Sequence, residues 1–282
     1  MISDDFGIAR ILRFRIAYQT MKDYWKTTVI FTFLFSGIAV MYAVMYPAFK
    51  ETMESLTPSM TEQFAWIPGA EDMSSYVGFL NIEMYQIFWV LFLGMILGFI
   101  GASLVSKEIE SKTIDLLMSN PVSRKQIIFQ KFIGIVPMVI IVNIGVILTI
   151  AIVTTGINEE MNFYYLFLTH LVSIPYFLAI IGIGLLISAV INEKMKASVI
   201  TIAIVISMFL FESLSQISSD YESLGLISLK HYYNPYNTLK FGNIDGTGVI
   251  VLLVVTIWTL IFAMIYFECF VCCFVVDFCD FF

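Results

Sequence analysis

Six apolar stretches divide this chain, and each is long enough to cross a bilayer as a helix. They fall at roughly 28–47, 82–105, 130–154, 163–190, 197–215 and 249–268. About 20 apolar residues in a helix are enough to cross the hydrocarbon layer. A soluble fold has no way to hide six such segments. Of the 282 residues, 59% are hydrophobic and 13% charged, whereas a soluble domain carries about 25% charged residues. The fold class expected is therefore an all-α polytopic membrane protein, one transmembrane domain over 1–282 with six spans. The fourth stretch contains Pro175 and the pair Gly182 and Gly184, which predicts a kink there.

Orientation follows from the positive residues, which concentrate on the cytosolic side of membrane proteins. Arg10, Arg13, Arg15, Lys22 and Lys26 precede the first stretch. Lys107, Lys112, Arg124, Lys125 and Lys131 lie between the second and third, and Lys194 and Lys196 between the fourth and fifth. Twelve of the fifteen basic residues thus fall on one side, leaving Lys50, Lys230 and Lys240 for the other. The first side is expected to be cytosolic, with both termini there, in a plasma membrane. The outer loops, about 48–81 and 216–248, are acidic and aromatic, with turn signals at Ile67-Pro68-Gly69 and Asn234-Pro235-Tyr236. The last loop is expected to dip towards the membrane. Segregation of charge by segment argues against a nucleic-acid partner.

Residues 1–26 do not read as a cleaved leader, because more spans follow and no small-residue cleavage pattern is present. Ile11, Phe14, Tyr18, Met21 and Trp25 recur at helical spacing, flanked by Arg10, Arg15 and Lys22. A basic amphipathic helix with aromatic anchors, lying in the membrane interface, is the expected form.

The stretch 106–131 is the longest well-charged run between two apolar blocks. Ile109, Thr113, Leu116 and Leu117 can share one helical face, and Asn120-Pro121 would end that helix. Ser123 with Gln126 three residues on forms a capping box for the next helix. A simple turn needs far fewer residues. The expected form is a firm knob, a short helix followed by a freshly capped one.

These residues resemble a known family. Glu108-Ile109-Glu110, Thr113, Leu116-Leu117, Pro121-Val122-Ser123-Arg124 and Lys131 look like the cytosolic loop of the ABC type-2 permeases, membrane subunits of ATP-binding cassette exporters. The order of elements is similar too, up to about Glu268. The resemblance implies that Thr113–Ser119 is a coupling helix seated in a cytosolic ATPase subunit. It also implies that Glu108 and Glu110 lock the end of span two to that subunit or to the N-terminal helix, with Pro121, Ser123 and Arg124 completing the 106–129 coupling loop. A Gly often precedes the Thr in that family; here the residue is Lys112. A second permease copy or paralogue is the other implied partner, beside membrane lipid.

No phosphate loop accompanies this pattern, since the dipeptide Gly-Lys occurs nowhere in the chain. The expectation is a transporter subunit without catalytic residues, binding no cofactor itself, with ATP and magnesium on the partner ATPase. No zinc helix or serine elbow is present. Ion-coupled carriers keep buried ionisable relays. The spans hold few such groups: Glu83 and Glu212 near span ends, Glu268, and His170, which reads as a packed, hydrogen-bonded residue. Asn143 and Glu212 are weak candidates for lining a path. A non-transporting scaffold that docks a cytosolic partner would use the same loop.

Gly94, Gly98 and Ala102 recur every four residues in span two, a pattern that lets helices approach closely. Subunit interface and internal packing both fit it. The end, Cys269–Phe282, is apolar and lacks Lys and Arg. An altered reading frame and a longer final helix both account for it. Cys269, Cys272, Cys273 and Cys279 have no His nearby, so packed or incidental cysteines are expected rather than a metal site.

Overall fold

The computed structural model describes residues 14–53, 69, 72–113, 123–217 and 219–279, with side chains outside 51–53, 219 and 269–279. Among the described residues six helices are long and apolar enough to cross a membrane. No strand occurs among the described residues.

Span one is a single unbroken helix, Arg15–Met53. At about 1.5 Å per residue it is roughly 58 Å long, well beyond the hydrocarbon thickness of about 30 Å. The expected separate helix over 1–26 is therefore the first part of span one, as far as it is described; Ile11 lies outside the described residues. The aromatic stripe does not pack on the protein, since Phe14, Tyr18 and Trp25 are all more than half exposed. The packing face is a different one, mostly of small residues: Ala17, Thr20, Thr28, Ala39 and Ala43 are buried, with Phe35 among them.

That face lies along span three, Arg124–Gly156. The close approach depends on two glycines three turns apart. A Cβ on Gly134 would sit 2.6 Å from the Ala17 carbonyl oxygen, and one on Gly145 would collide with Thr32. Helices in lipid associate through such contact rather than through expulsion of water.

Span two changes its winding along its length. Tyr76–Leu80 is α-helical and starts with Ser75, whose hydroxyl accepts the Gly78 N–H. Asn81–Leu93 is a π-helix of 13 residues. Gly94–Ser103 is α-helical again. Runs of π-helix are ordinarily single turns and gather at functional sites. Span two fills the middle of the bundle, with Tyr85, Trp89, Leu93 and Leu97 fully buried.

Spans four, Phe163–Val190, and five, Lys194–Ile217, follow, joined by the short connection 191–193. Pro175 lies inside the span-four helix, which continues through it. The glycine pair of span four serves close packing. A Cβ on Gly184 would lie 2.7 Å from the Gly98 carbonyl oxygen and 2.8 Å from the Ala102 nitrogen. The Gly94, Gly98, Ala102 pattern is thus internal packing. Gly94 and Gly98 face Ile180 of span four and Val205 of span five.

The segment before span six folds into short helices: Ser219–Tyr221, Glu222–Gly225, Leu229–Tyr232 and Pro235–Phe241. Asn234-Pro235 is not a turn there but a helix start. The Asn234 side chain caps Tyr236 and Asn237, and Pro235 takes the first helical position, where its missing N–H costs nothing. Tyr233 is buried and donates to the Thr169 carbonyl of span four. Span six is one helix, Gly246–Cys279, so the backbone of the apolar tail continues it as far as Cys279.

Candidate functional site

The root of the 106–124 loop gathers bonds from the neighbouring spans. Span two stops at Ser103; Leu104 and Val105 keep right-handed dihedrals, but the helical hydrogen bonding lapses at Val105 and Ser106. A buried hydroxyl from span four repairs the break: Ser188 Oγ accepts both the Val105 N–H at 3.0 Å and the Ser106 N–H at 2.8 Å. Ser106 Oγ then donates back to the Ala102 carbonyl. The helix Ser106–Glu110 starts from this braced corner.

Its two carboxylates reach in different directions. Glu108 forms an ion pair with Lys131, a lysine of span three that is 4% exposed. Glu110 accepts the backbone N–H of Lys194, the first residue of span five, at 3.0 Å. Span five has no serine, threonine or Asx residue at its own start, since Glu193 supplies the carbonyl that accepts the Ala197 N–H. A carboxylate from 84 residues away therefore serves as its cap, at the positive end of the helix dipole. The resemblance implies that Glu108 and Glu110 lock the end of span two to the ATPase subunit or to the N-terminal helix; among the described residues they meet other spans. Their partners are span three and span five.

The loop helix ends after Glu110. Lys112 has φ +55°, and the Thr113 N–H donates to Glu108 O while the Lys112 N–H donates to Ile109 O. This pair of bonds is the Schellman termination, which favours glycine at the left-handed position. Lys112 occupies the very position where the resembling family often has Gly. The left-handed residue interrupts the helix, so Ile109 and Thr113 do not continue one helical face. Thr113 Oγ1 lies 2.9 Å from Ser111 Oγ. Leu116, Leu117 and Pro121, with most of the expected coupling helix, lie outside the described residues.

Beyond them the chain returns as expected. Ser123 accepts the Gln126 N–H, and Gln126 Oε1 accepts the Ser123 N–H, closing the capping box at the start of span three. Arg124 Nη1 stands 3.5 Å from the Glu268 carbonyl, and Lys125 forms an ion pair with Glu268 at 2.8 Å. Span one joins the same end. Ile16 N–H donates to Gln130 Oε1 at 3.1 Å, and Tyr24 and Ser103 share a hydrogen bond. Side chains around the loop root thus tie all six spans together.

His170 lies in a separate, wholly buried network, as a packed hydrogen-bonded residue. Asn143 Nδ2 donates to the Val139 carbonyl, which leaves Asn143 Oδ1 to accept from Ser173 and from His170 Nδ1. His170 Nε2 then accepts from the Tyr85 hydroxyl at 2.9 Å, and Trp89 packs edge-on against the ring. Both ring nitrogens are satisfied with the imidazole neutral. Asn143 is occupied in this network. Glu212 is buried at the far end of span five and bonded to His231 and Gln216.

Ser188 and Lys131 carry much of the loop root, and sequence reasoning singled out only Lys131. The one signal for Ser188 was a hydroxyl in an apolar run two residues before the span ends. Among the described residues no group of His, Cys, Asp and Glu could hold a metal ion.

Comparison with curated proteins finds no match. The family profile described as ABC-2 family transporter protein matches residues 19–271, which takes in the loop, spans two to five whole and most of spans one and six. The six-span bundle and the loop anchored between spans two and three agree with that match, and the chain belongs to the ABC-2 family of transporter proteins.

Proposed function

We propose that this chain is the permease subunit of an ATP-binding cassette exporter, driven by a separate ATPase that docks on the 106–129 loop. The observation that carries this reading is the anchoring of the loop root. The short helix Ser106–Glu110 is tied to span three through Glu108, to span four through Ser188 and to span five through Glu110. A loop held in this way acts as a lever, so that moving it moves the ends of several spans together.

In this reading Thr113, Leu116, Leu117, Pro121, Ser123 and Arg124 meet the ATPase, which holds ATP and magnesium. The loop faces the cytosol of a plasma membrane, and a second permease completes the transporter. The concentration of lysine and arginine at this end supports the orientation.

The test is to exchange residues 113–118 for a Gly/Ser run in the full chain, expressed with its ATPase. Membrane insertion should persist while ATPase co-purification and transport are lost. Normal transport by this variant would remove the coupling role. Retained docking with no transport in any variant, wild type included, would favour a scaffold.

A further inference from the structure

At the lysine-rich end of the bundle, spans one and five flank span two without extensive packing between them. The face of span two between them, with Met95, Ile96 and Phe99, is left half-covered. A cleft of about 630 Å³ results, walled also by Phe31 of span one and Ile202 of span five. This volume is within the usual range for ligand sites, about 300–1,000 Å³. It suits one acyl chain and part of a headgroup.

The polar groups of the cleft sit at its loop end. Five charged residues line it: Asp23, Lys107, Glu108, Lys131 and Lys194. Glu108 and Lys131 neutralise each other. Asp23 accepts the Gln19 side-chain amide at 2.7 Å. Lys107 and Lys194 have no carboxylate partner among the described residues, and Lys194 Nζ rests 5.4 Å over the Phe99 ring, at the border of the apolar wall. The hydroxyl pair Tyr24 and Ser103 lies just below. An oily slot under two unpaired ammonium groups matches an amphiphile with a negative head.

We infer that this cleft binds one anionic phospholipid of the surrounding leaflet, its phosphate between Lys107 and Lys194 and one acyl chain along Met95, Ile96 and Phe99. Basic pockets between helices at the membrane surface select such headgroups, at about a fivefold gain in affinity for each lysine near the surface. The Gln19 amide leaves the Asp23 charge unneutralised, so Asp23 offsets one of the two lysines, and an anionic lipid is favoured over a zwitterionic one by about fivefold. The site needs neither ATP nor the loop's outer half.

Native mass spectrometry of the purified full chain, with phosphatidylglycerol and phosphatidylcholine of the same chains added in competition, tests this. The wild type should retain phosphatidylglycerol preferentially. The pair Lys107→Gln and Lys194→Gln should bring the two lipids to near parity without changing the elution volume of the protein. Ile202→Trp, which narrows the slot, should lower retention of both. Equal retention of the two lipids by the wild type would overturn the inference, as would an undiminished preference in the lysine pair variant. A disulfide between copies of an Ile96→Cys variant in native membranes would also overturn it, by showing that a second chain covers the groove.

Discussion

Removing the Glu110 carboxylate should loosen the start of span five and, separately, uncouple it from the loop. Glu110→Ala deletes the acceptor of the Lys194 N–H and the negative charge at that helix end. Loss of an N-terminal cap costs about 1 kcal/mol, and a carboxylate near a helix N-terminus adds about 0.3–1 kcal/mol. Glu110 is solvent-exposed, so the lower end applies and the sum is about 1 kcal/mol. Opening of the first turn should then become about fivefold more frequent. Hydrogen exchange over residues 192–200, measured by mass spectrometry on the detergent-solubilised protein, reads this directly. Adding Glu193→Ser supplies a local cap at the position that already accepts the Ala197 N–H. It sacrifices only the exposed Glu193–Lys196 pair, which contributes little. The double variant should recover exchange protection, yet transport per ATP hydrolysed should stay low, because the loop and span five are no longer joined. If exchange does not change in Glu110→Ala, the capping argument fails. If the double variant recovers transport as well, Glu110 is a cap and nothing more.

Lys112→Gly should stabilise the loop root by about 1 kcal/mol, because a left-handed backbone costs an L-residue about 1–2 kcal/mol that glycine avoids; slower proteolysis within 106–124 would show it, and faster proteolysis would refute it. Gly184→Ala should destabilise the bundle by about 1–3 kcal/mol, since its Cβ would strike the backbone of Gly98 and Ala102; a lowered unfolding temperature in detergent is the readout. Lys230 is buried on the side of the bundle opposite the loop, with its Nζ 4.1 Å over the Phe209 ring. Burial pulls its pKa down to about 8, against the opposing charge of Glu212. The unfolded chain therefore binds the proton more tightly than the fold does. Stability should rise with pH between about 8 and 10.4, by up to about 3 kcal/mol. Lys230→Met should flatten that rise in thermal unfolding; an unchanged slope would remove Lys230 as its source.

The six spans were legible because hydrocarbon length imposes a long apolar run on each one. Most of their ends were not, because helices run on past the apolar run until a cap or a break stops them; span four, Phe163–Val190, is the exception and has the bounds expected. Span two begins at Ser75 rather than near residue 82 because a serine caps it there. Span three begins at the capping box of Ser123, a boundary that local sequence chemistry states outright. Helical periodicity placed Ile109 and Thr113 on one face, but a left-handed Lys112 lies between them, and no periodicity encodes that. The direction of Glu108 and Glu110 depends on which spans are neighbours, which the order of segments leaves open. The small-residue face of span one was hidden behind a more conspicuous aromatic stripe that faces outward. The glycine pattern of span two was legible, but its partners in spans four and five were not.

The π-wound stretch Asn81–Leu93 gives span two a property that a plain α-helix lacks. Winding with the wider hydrogen-bond spacing takes more residues per turn and gains less height from each, so this half of the helix holds length in reserve. Rewinding even one of its turns as α would extend the rod and rotate everything beneath it about the rod's own axis. Glu108 and Glu110 lie beyond the lower end, so such a change would reach them as a screw motion, a stroke and a twist at once, passed on through the corner that Ser188 braces.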